Sequence, residues 1–391
     1  MNRAGNPSSL KRRNTAEVLR VIHRAHFDSV NDSAASPALT VTTIAKAAGV
    51  SRPTAEDAVD DLARFGWIEE AAPTAHKAKA GRPARFVRFA AGAGHVMGVD
   101  IAREWVYVFI ADLAGRVSVR HRVPLSPAMN AQARITQTRV AMRTALAERA
   151  LSESDILATT IASTGIVTPE GKVLKSIVPG WTGLDLRAEL PEAYGEVTFG
   201  NDIRVAIMGE SWIGAAQGCH TVVHLHAGLR IGTAFLVDGA SPLGAHGAAG
   251  EMGPRDGRAV TKAYARLVDA PELHDDAALR IDPSPVFAAA VAGTPDAVEA
   301  VGAFSRTLAK AIIGVVVAVD PQVVVVGGGL SVVDGLATDP IREYLADWCT
   351  FEPKVKASAL GEDAVAMGAI RLALDSVEAK MFSDPQAANQ A

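Results

Sequence analysis

The first third of the chain repeats its hydrophobic positions with helical spacing. Val18, Leu19 and Ile22 form an apolar stripe within 9–26. Ile44, Ala45 and Ala48 mark one face of a second, short helix, and Val59, Leu62 and Phe65 lie three apart on a third. Between these two, Gly49 and Val50 turn the chain, since Gly tolerates the left-handed conformation that a tight turn needs. Ser51 is placed to cap the third helix, and Pro53 falls in its first turn, where no amide hydrogen is missed. Gly66 ends the helix, Trp67-Ile68 begins a strand, and residues 85–89 (RFVRF) alternate as the returning strand. Residues 28–37 predict a polar loop, and the small, basic stretch 71–81 predicts the tip of a wing. Together these elements predict a winged helix-turn-helix, a shape that lays its second helix in a DNA major groove. An ordinary helical hairpin is the plain alternative; the agreement of turn, cap and core positions argues against it.

From residue 95 the pattern changes. Two strands and a turn are predicted over 95–117, a helix over 135–151, and a strand over 156–166 that ends in Ser163-Thr164-Gly165. A short strand at 197–201 runs into a helix at 202–214, followed by a strand pair over 221–238. Helices at 260–268 and 298–319 precede a buried strand, 323–326, which meets Gly327-Gly328-Gly329. A last helix opens at 364, and 382–391 read as frayed. Strands alternating with helices predict an α/β body. The small residues 90–94 (AAGAG) are the expected joint, giving a DNA-binding domain over 1–90 and a body over 95–380.

Composition narrows this picture. A chain of 391 residues exceeds what one core usually serves, and 49% hydrophobic residues permit a large interior. Two cysteines, Cys219 and Cys349, lie far apart in the sequence, which suits a reducing compartment and excludes a cysteine-rich zinc cluster. The first nine residues are polar, and the apolar runs at 312–319 and 323–326 are split by Asp320-Pro321. A cytoplasmic protein without membrane attachment is therefore expected. Charge is uneven: residues 1–90 carry 14 Lys and Arg against 9 Asp and Glu, while the rest carries 25 against 34. A basic head on an acidic body suits a DNA-binding module joined to a part that does not bind DNA. Glu56, Asp57, Asp60 and Asp61 on the recognition helix complicate a purely electrostatic account. Ser51, Arg52 and Thr54 are expected to face the groove, with Lys11, Arg12 and Arg13 near phosphates. Arg82, held extended between Gly81 and Pro83, is expected to enter a minor groove.

Six segments in order resemble the ROK family (repressors, open reading frames, kinases). They are GVDI at 98–101, VPGWTGLDL at 178–186, GNDIRVAIMGE at 200–210, GAHGAAGEMG at 244–253, DPQVVVVGGGL at 320–330 and ALGEDAVAMGA at 359–369. With the winged head, the chain looks like the family's regulator branch. The resemblance implies a body of two ribonuclease-H-like lobes, split near 203, with the last helix returning to the first lobe. It also implies that a sugar binds between the lobes.

By that resemblance, Asn201, Asp202 and Glu251 are the expected sugar ligands. In the family's kinases the Asp matching Asp202 takes a proton from a sugar hydroxyl, chemistry a carboxylate suits. The same pair can hold hydroxyls without reaction, or Asn-Asp can simply cap a helix. The sequence departs from the family in three places. Where a His and then a Cys-rich zinc motif usually follow the glycine-rich turn, this chain has Pro254 and no Cys until Cys349. His246 and His274 without thiols make a poor structural zinc site, so no metal is expected. Where the kinases carry Gly-Gly-Thr after the first strand's acid, this chain has Ala102-Arg103-Glu104. The second phosphate loop, usually Gly-Thr-Gly-Ile-Gly, reads Gly228-Leu229-Arg230-Ile231-Gly232. Two unit charges ~4 Å apart repel by ~4 kcal/mol at an effective dielectric of ~20, so Glu104 opposes a phosphate there. No nucleotide cofactor and no enzymatic activity are expected. The expected function is a transcription regulator, a repressor in its default form, acting as a homodimer or higher homo-oligomer. Its expected partners are an operator and a sugar or sugar-phosphate effector. An ATP-dependent carbohydrate kinase carrying an added DNA-binding domain is the alternative.

Overall fold

The computed structural model describes residues 7–30, 38–72, 85–126, 128–190, 194–227, 231–270 and 281–389. The head begins with helix α1 (Pro7–Val30), which extends into the first part of the expected polar loop. Strand β1 (Leu39–Thr40), α2 (Val41–Ala48), α3 (Arg52–Arg64), β2 (Ile68–Glu70) and β3 (Phe86–Phe89) follow. β3 lies between β1 and β2 in an antiparallel sheet, the base of the wing. Local chemistry sets the helix-turn-helix. The Thr40 side chain accepts from Thr43 N at the start of α2, and Gly49 closes it at φ +67°. The Ser51 side chain accepts from Thr54 N at the start of α3, so two orphan donors are met by side chains. Val18, Leu19, Ile22, Ile44, Val59 and Leu62 fill the core between the three helices.

The body opens with β4 (His95–Ile101), β5 (Trp105–Asp112), β6 (Val117–Pro124) and α4 (Ala131–Ala147). It continues with β7 (Ile156–Ser163), β8 (Ile166–Val167), β9 (Val173–Lys175), α5 (Leu186–Glu189), β10 (Glu196–Asn201) and α6 (Asp202–Ile213). The first large sheet has the order β10-β7-β4-β5-β6, with β4, β7 and β10 parallel and β4, β5 and β6 antiparallel. The second half holds β11 (Val222–Ala227), β12 (Ile231–Leu236), α7 (Pro254–Leu267), α8 (Ser284–Val291) and α9 (Pro295–Val319). Then come β13 (Val323–Gly327), α10 (Gly335–Trp348), β14 (Lys354–Ala357) and α11 (Ala364–Ser383). Its sheet repeats the scheme in the order β12-β11-β13-β14, an antiparallel pair followed by parallel strands. A winged helix-turn-helix thus precedes an α/β body of two ribonuclease-H-like lobes. β6, α8, α10 and β14 are not apparent in the sequence pattern.

Helices α6 and α11 pack against each other backbone to backbone. A Cβ on Gly368 would sit 1.8 Å from the Val205 carbonyl oxygen, and one on Gly209 would sit 2.6 Å from that of Ala364. Only glycine permits so close an approach. Helix α11 also packs on β4 and β7, and its far end reaches the head. There the expectation of a frayed C-terminus fails. Helix α11 runs to Ser383, the Trp67 indole donates to the Pro385 carbonyl at 2.7 Å, and Ala388 is buried. Trp67 needs a buried acceptor, and the tail supplies it. One hydrophobic cluster runs without a break from Leu19 and Ile44 through Phe89 to Phe109, Leu374, Val377 and Met381, so head and first lobe share a core.

Helix α9 is long and apolar enough to cross a membrane by length and composition alone. In this fold its inner face, Val301, Phe304, Leu308, Ile312 and Val316, belongs to the core of the second lobe.

Candidate functional site

The parallel strands of the first lobe end together. Register places Ile101, Ser163 and Asn201 side by side at their carboxyl ends, the edge where α/β sheets bind ligands. A cleft of about 700 Å³ opens here between the two lobes. Its first-lobe wall includes Thr164, Lys175, Ser176, Asn201 and Asp202; its second-lobe wall includes Gly232, Glu251, Arg258, Thr261 and Lys262. The three residues expected from sequence to contact a sugar, Asn201, Asp202 and Glu251, therefore line one cavity, although 49 positions separate Asp202 from Glu251.

The floor is fixed by hydrogen bonds. Asn201 does cap α6: its Oδ1 accepts from Arg204 N at 3.0 Å. Its Nδ2 donates to the Gly165 carbonyl at 2.9 Å and to Asp202 Oδ1 at 3.0 Å. Asp202 Oδ1 also accepts from Ile203 N, and Oδ2 accepts from Thr164 Oγ1 at 2.9 Å. Both side chains are buried and held in one orientation, so capping and lining the cleft are compatible roles. The VPGWTGLDL segment braces this floor. Buried Trp181 donates its indole N–H to Ser163 Oγ at 2.7 Å, and Ser176 Oγ donates to the Thr164 carbonyl at 2.9 Å. Glu251 is solvent-exposed on the opposite wall. Although the residue is exposed, partial desolvation of its carboxylate in the cleft raises its pKa above the usual value, with nearby Lys175 opposing the rise.

The β4–β5 turn, residues 102–104, does not contribute to the cleft lining. The Arg134 guanidinium, buried and facing the Trp181 ring at 5.9 Å, donates to the carbonyls of Ala102 and Arg103 at 2.9 and 2.8 Å. Of the second phosphate loop, residues 228–230 lie outside the described residues; Gly232 packs against Ile203. The glycine run at 327–329 has a packing reason, since a Cβ on Gly328 would sit 2.6 Å from the Ala227 carbonyl oxygen. Beside it, burial lowers the pKa of His224 to about 4; burial and neighbouring His224 lower that of His226 to about 3. Among the described residues no group of three or more His, Cys, Asp and Glu is placed to hold a metal ion. His274 lies outside the described residues.

On the head, Ser51 and Arg52 are exposed at the start of α3, and Thr54 is half-buried. Arg52 Nε lies 3.0 Å from Glu56 on the same helix. The acidic residues of α3 are largely matched: Arg85 pairs with Asp60, and Lys11 and Arg64 both pair with Asp61. Two cations of α1 also have carboxylate neighbours. Lys11 lies 2.8 Å from Asp61 and Arg12 lies 3.3 Å from Asp384, and both cation side chains stay exposed at the surface. Arg82 and the wing tip lie outside the described residues.

A winged head joined to a two-lobed, sugar-kinase-like body defines the class. The ROK family model matches residues 96–255 and 256–376, and the chain belongs to the ROK family. It is 24% identical to a glucokinase of Halalkalibacterium halodurans, over 70% of this chain and 92% of that protein. It is 22% identical to a xylose repressor of Caldicellulosiruptor bescii, over 54% of this chain and about half (53%) of that protein. Among solved structures, a ROK family transcriptional regulator described as a homologue of the E. coli MLC protein superposes with a TM-score of 0.73. That match has 17% identity and covers 98% of this chain and 100% of the other. The family thus contains both kinases and repressors among this chain's relatives.

Proposed function

We propose that this protein is a DNA-binding transcription regulator, repressing in its default form, whose state is set by a sugar-type effector bound between the lobes. The observation that carries this reading is the shared core of head and first lobe. It fastens a helix-turn-helix with an exposed leading edge to the wall of a polar cleft. Ser51, Arg52 and Thr54 contact the major groove, and Arg82 the minor groove; a dimer reads a pseudo-palindromic site. Asn201, Asp202 and Glu251 hold sugar hydroxyls. Helix α6 starts at those ligands and presses on α11 through Gly209 and Gly368, and α11 ends beneath the head. Effector-driven lobe movement thus changes the placement of the heads. The effector must bind one arrangement more tightly; a swing from 1:99 to 99:1 requires ~5.5 kcal/mol of differential affinity.

An ATP-dependent sugar kinase is the second reading, favoured by Asp202 lining the cleft and by the glucokinase relative. The Arg134-tied turn at 102–104, which replaces a glycine-rich phosphate turn, supports the regulator instead. Selection of binding sites from random DNA by the purified chain, repeated with a sugar panel, tests the proposal. A defined operator whose affinity changes with one sugar is expected. Sugar phosphorylation that Asp202→Asn abolishes would instead establish the kinase.

A further inference from the structure

We infer that the effector is a monosaccharide carrying a negative group, a phosphate or a carboxylate, held by Lys175 from one lobe and by Arg258 and Lys262 from the other. This rests on the reading of the cleft as a sugar site and names the kind of sugar.

The floor of the cleft suits neutral hydroxyls. Asn201, Asp202 and Thr164 are buried and already joined by hydrogen bonds, and they offer fixed donors and acceptors. The rim differs. Lys175 closes β9, while Arg258 and Lys262 stand one turn apart on α7, and all three line the same cavity from opposite lobes. Each is exposed, and none forms an ion pair within 4.0 Å among the described residues; Glu251, on the same cavity, is the acid near Lys175. Elsewhere in the protein exposed arginines are repeatedly paired, as Arg85, Arg88, Arg120 and Arg122 are. Like charges at i and i+4 destabilise a helix, so the Arg258 and Lys262 pair opposes the stability of α7. An anion between the walls reverses that effect. Bound to cations on both walls, it also ties the two lobes together. Phosphate and carboxylate both accept charge-assisted hydrogen bonds from Arg and Lys, and these are the strong ones.

The test is calorimetric titration of the full chain with glucose and xylose, with glucose 6-phosphate and glucuronate, and with inorganic phosphate alone, at low and high salt. The expected result is that at least one anionic sugar binds tenfold or more tighter than its neutral parent. That preference should shrink at high salt, as screened charges require. Arg258→Gln with Lys262→Gln should abolish it and Lys175→Gln should reduce it, with neutral-sugar binding retained. Arg266→Gln, on α7 but outside the cleft lining, should leave it unchanged. Neutral sugars binding as tightly as the anionic ones overturn the inference and leave the sugar-effector reading intact. Inorganic phosphate binding as tightly as glucose 6-phosphate overturns it too, since the sugar then contributes nothing. Binding by no member of the panel overturns the inference, and the sugar-effector reading then stands or falls on the operator selection with its own sugar panel.

Discussion

The joint between head and first lobe and the gap between the two lobes are built in opposite ways. At the joint, apolar side chains from three helices, the wing sheet and α11 merge into one core, and the C-terminal tail closes it through Trp67 and Pro385. Arg20 faces the Phe382 ring at 5.3 Å and donates to its carbonyl at 3.3 Å. At the gap, polar and charged groups face an open cavity of about 700 Å³. A packed apolar seam transmits displacement because it cannot deform without opening voids. An open polar gap changes width cheaply. The difference predicts where movement belongs: on the regulator reading, the lobes should shift about the cleft and the head should travel with the first lobe.

The most damaging change should fall on the tight side. Gly368→Ala places a methyl group 1.8 Å from the Val205 carbonyl oxygen, and backbone cannot step aside as a side chain can. Chemical denaturation should show a loss of roughly 3 kcal/mol, the upper part of the range for overpacking. An unchanged midpoint would mean that α6 and α11 do not meet as closely as described, and the route from cleft to head would fail with it.

Acid should attack the same joint next. His23 packs tilted against Phe27 and edge-on to Phe89 and Phe382, and its pKa is lowered from 6.5 to about 4 by burial, then by Arg371 and His26. Glu378 lies 3.8 Å away and is itself paired to Arg371. A folded pKa below the unfolded value means that the unfolded chain binds the proton first. Stability is therefore fully present above pH 6.5, falls as pH drops through that value, and levels off below about 4. The loss from this residue is about 3 kcal/mol across that window. His224 and His226 in the second lobe add to the fall in the same direction. His23→Phe should flatten the head's share of the pH dependence, measured by urea midpoints between pH 4 and 7. A profile identical to the parent's would remove His23 as a cause.

Trp67→Phe is a narrower probe. It keeps the ring in the core and removes the donor to the Pro385 carbonyl. A destabilisation of about 1 to 2 kcal/mol is expected for the lost buried hydrogen bond. Amide exchange should quicken at 384–389 and stay unchanged around the cleft. Equal quickening at Asn201 and Thr164 would show that the two regions are not separable in the way described.

The contrast also explains what could be read from the chain in advance. Helix starts and stops are local, so Ser51 at the cap of α3, Gly49 at its turn and Asn201 at the end of β10 were legible from neighbours a few residues away. The strand-helix alternation gave the α/β body. What stayed hidden is set by distant partners. The carboxylate neighbours of Lys11 and Arg12, Asp61 and Asp384, lie 50 and 372 positions away and cannot be read from the local pattern. The tail looks frayed until Trp67, 318 positions earlier, is found to need its carbonyl. Lys175, Arg258 and Lys262 carry no motif, and only the closing of two lobes sets them around one cavity. Strand β14 (KVKA) and helix α10, with Pro340 inside it, are obscured by alternating lysines and by an apparent breaker.

The smallest effect on stability should accompany a large effect on recognition, at Arg52. Its pair with Glu56 is exposed on both sides and lies within one helix. Such pairs contribute about 0.3 to 0.5 kcal/mol, because water and salt screen them. Arg52→Ala should therefore move the denaturation midpoint hardly at all, while operator affinity falls tenfold or more. The same weakness lets the guanidinium leave Glu56 for a base edge or a phosphate without disturbing α3. Glu56→Ala provides the converse: with the competing carboxylate removed, Arg52 is released and the acidic charge near DNA is reduced, so affinity should rise. If Arg52→Ala binds the selected operator as the parent does, the leading edge of α3 is not the reading surface, and the rigid joint behind it would serve some purpose other than holding a DNA reader in place.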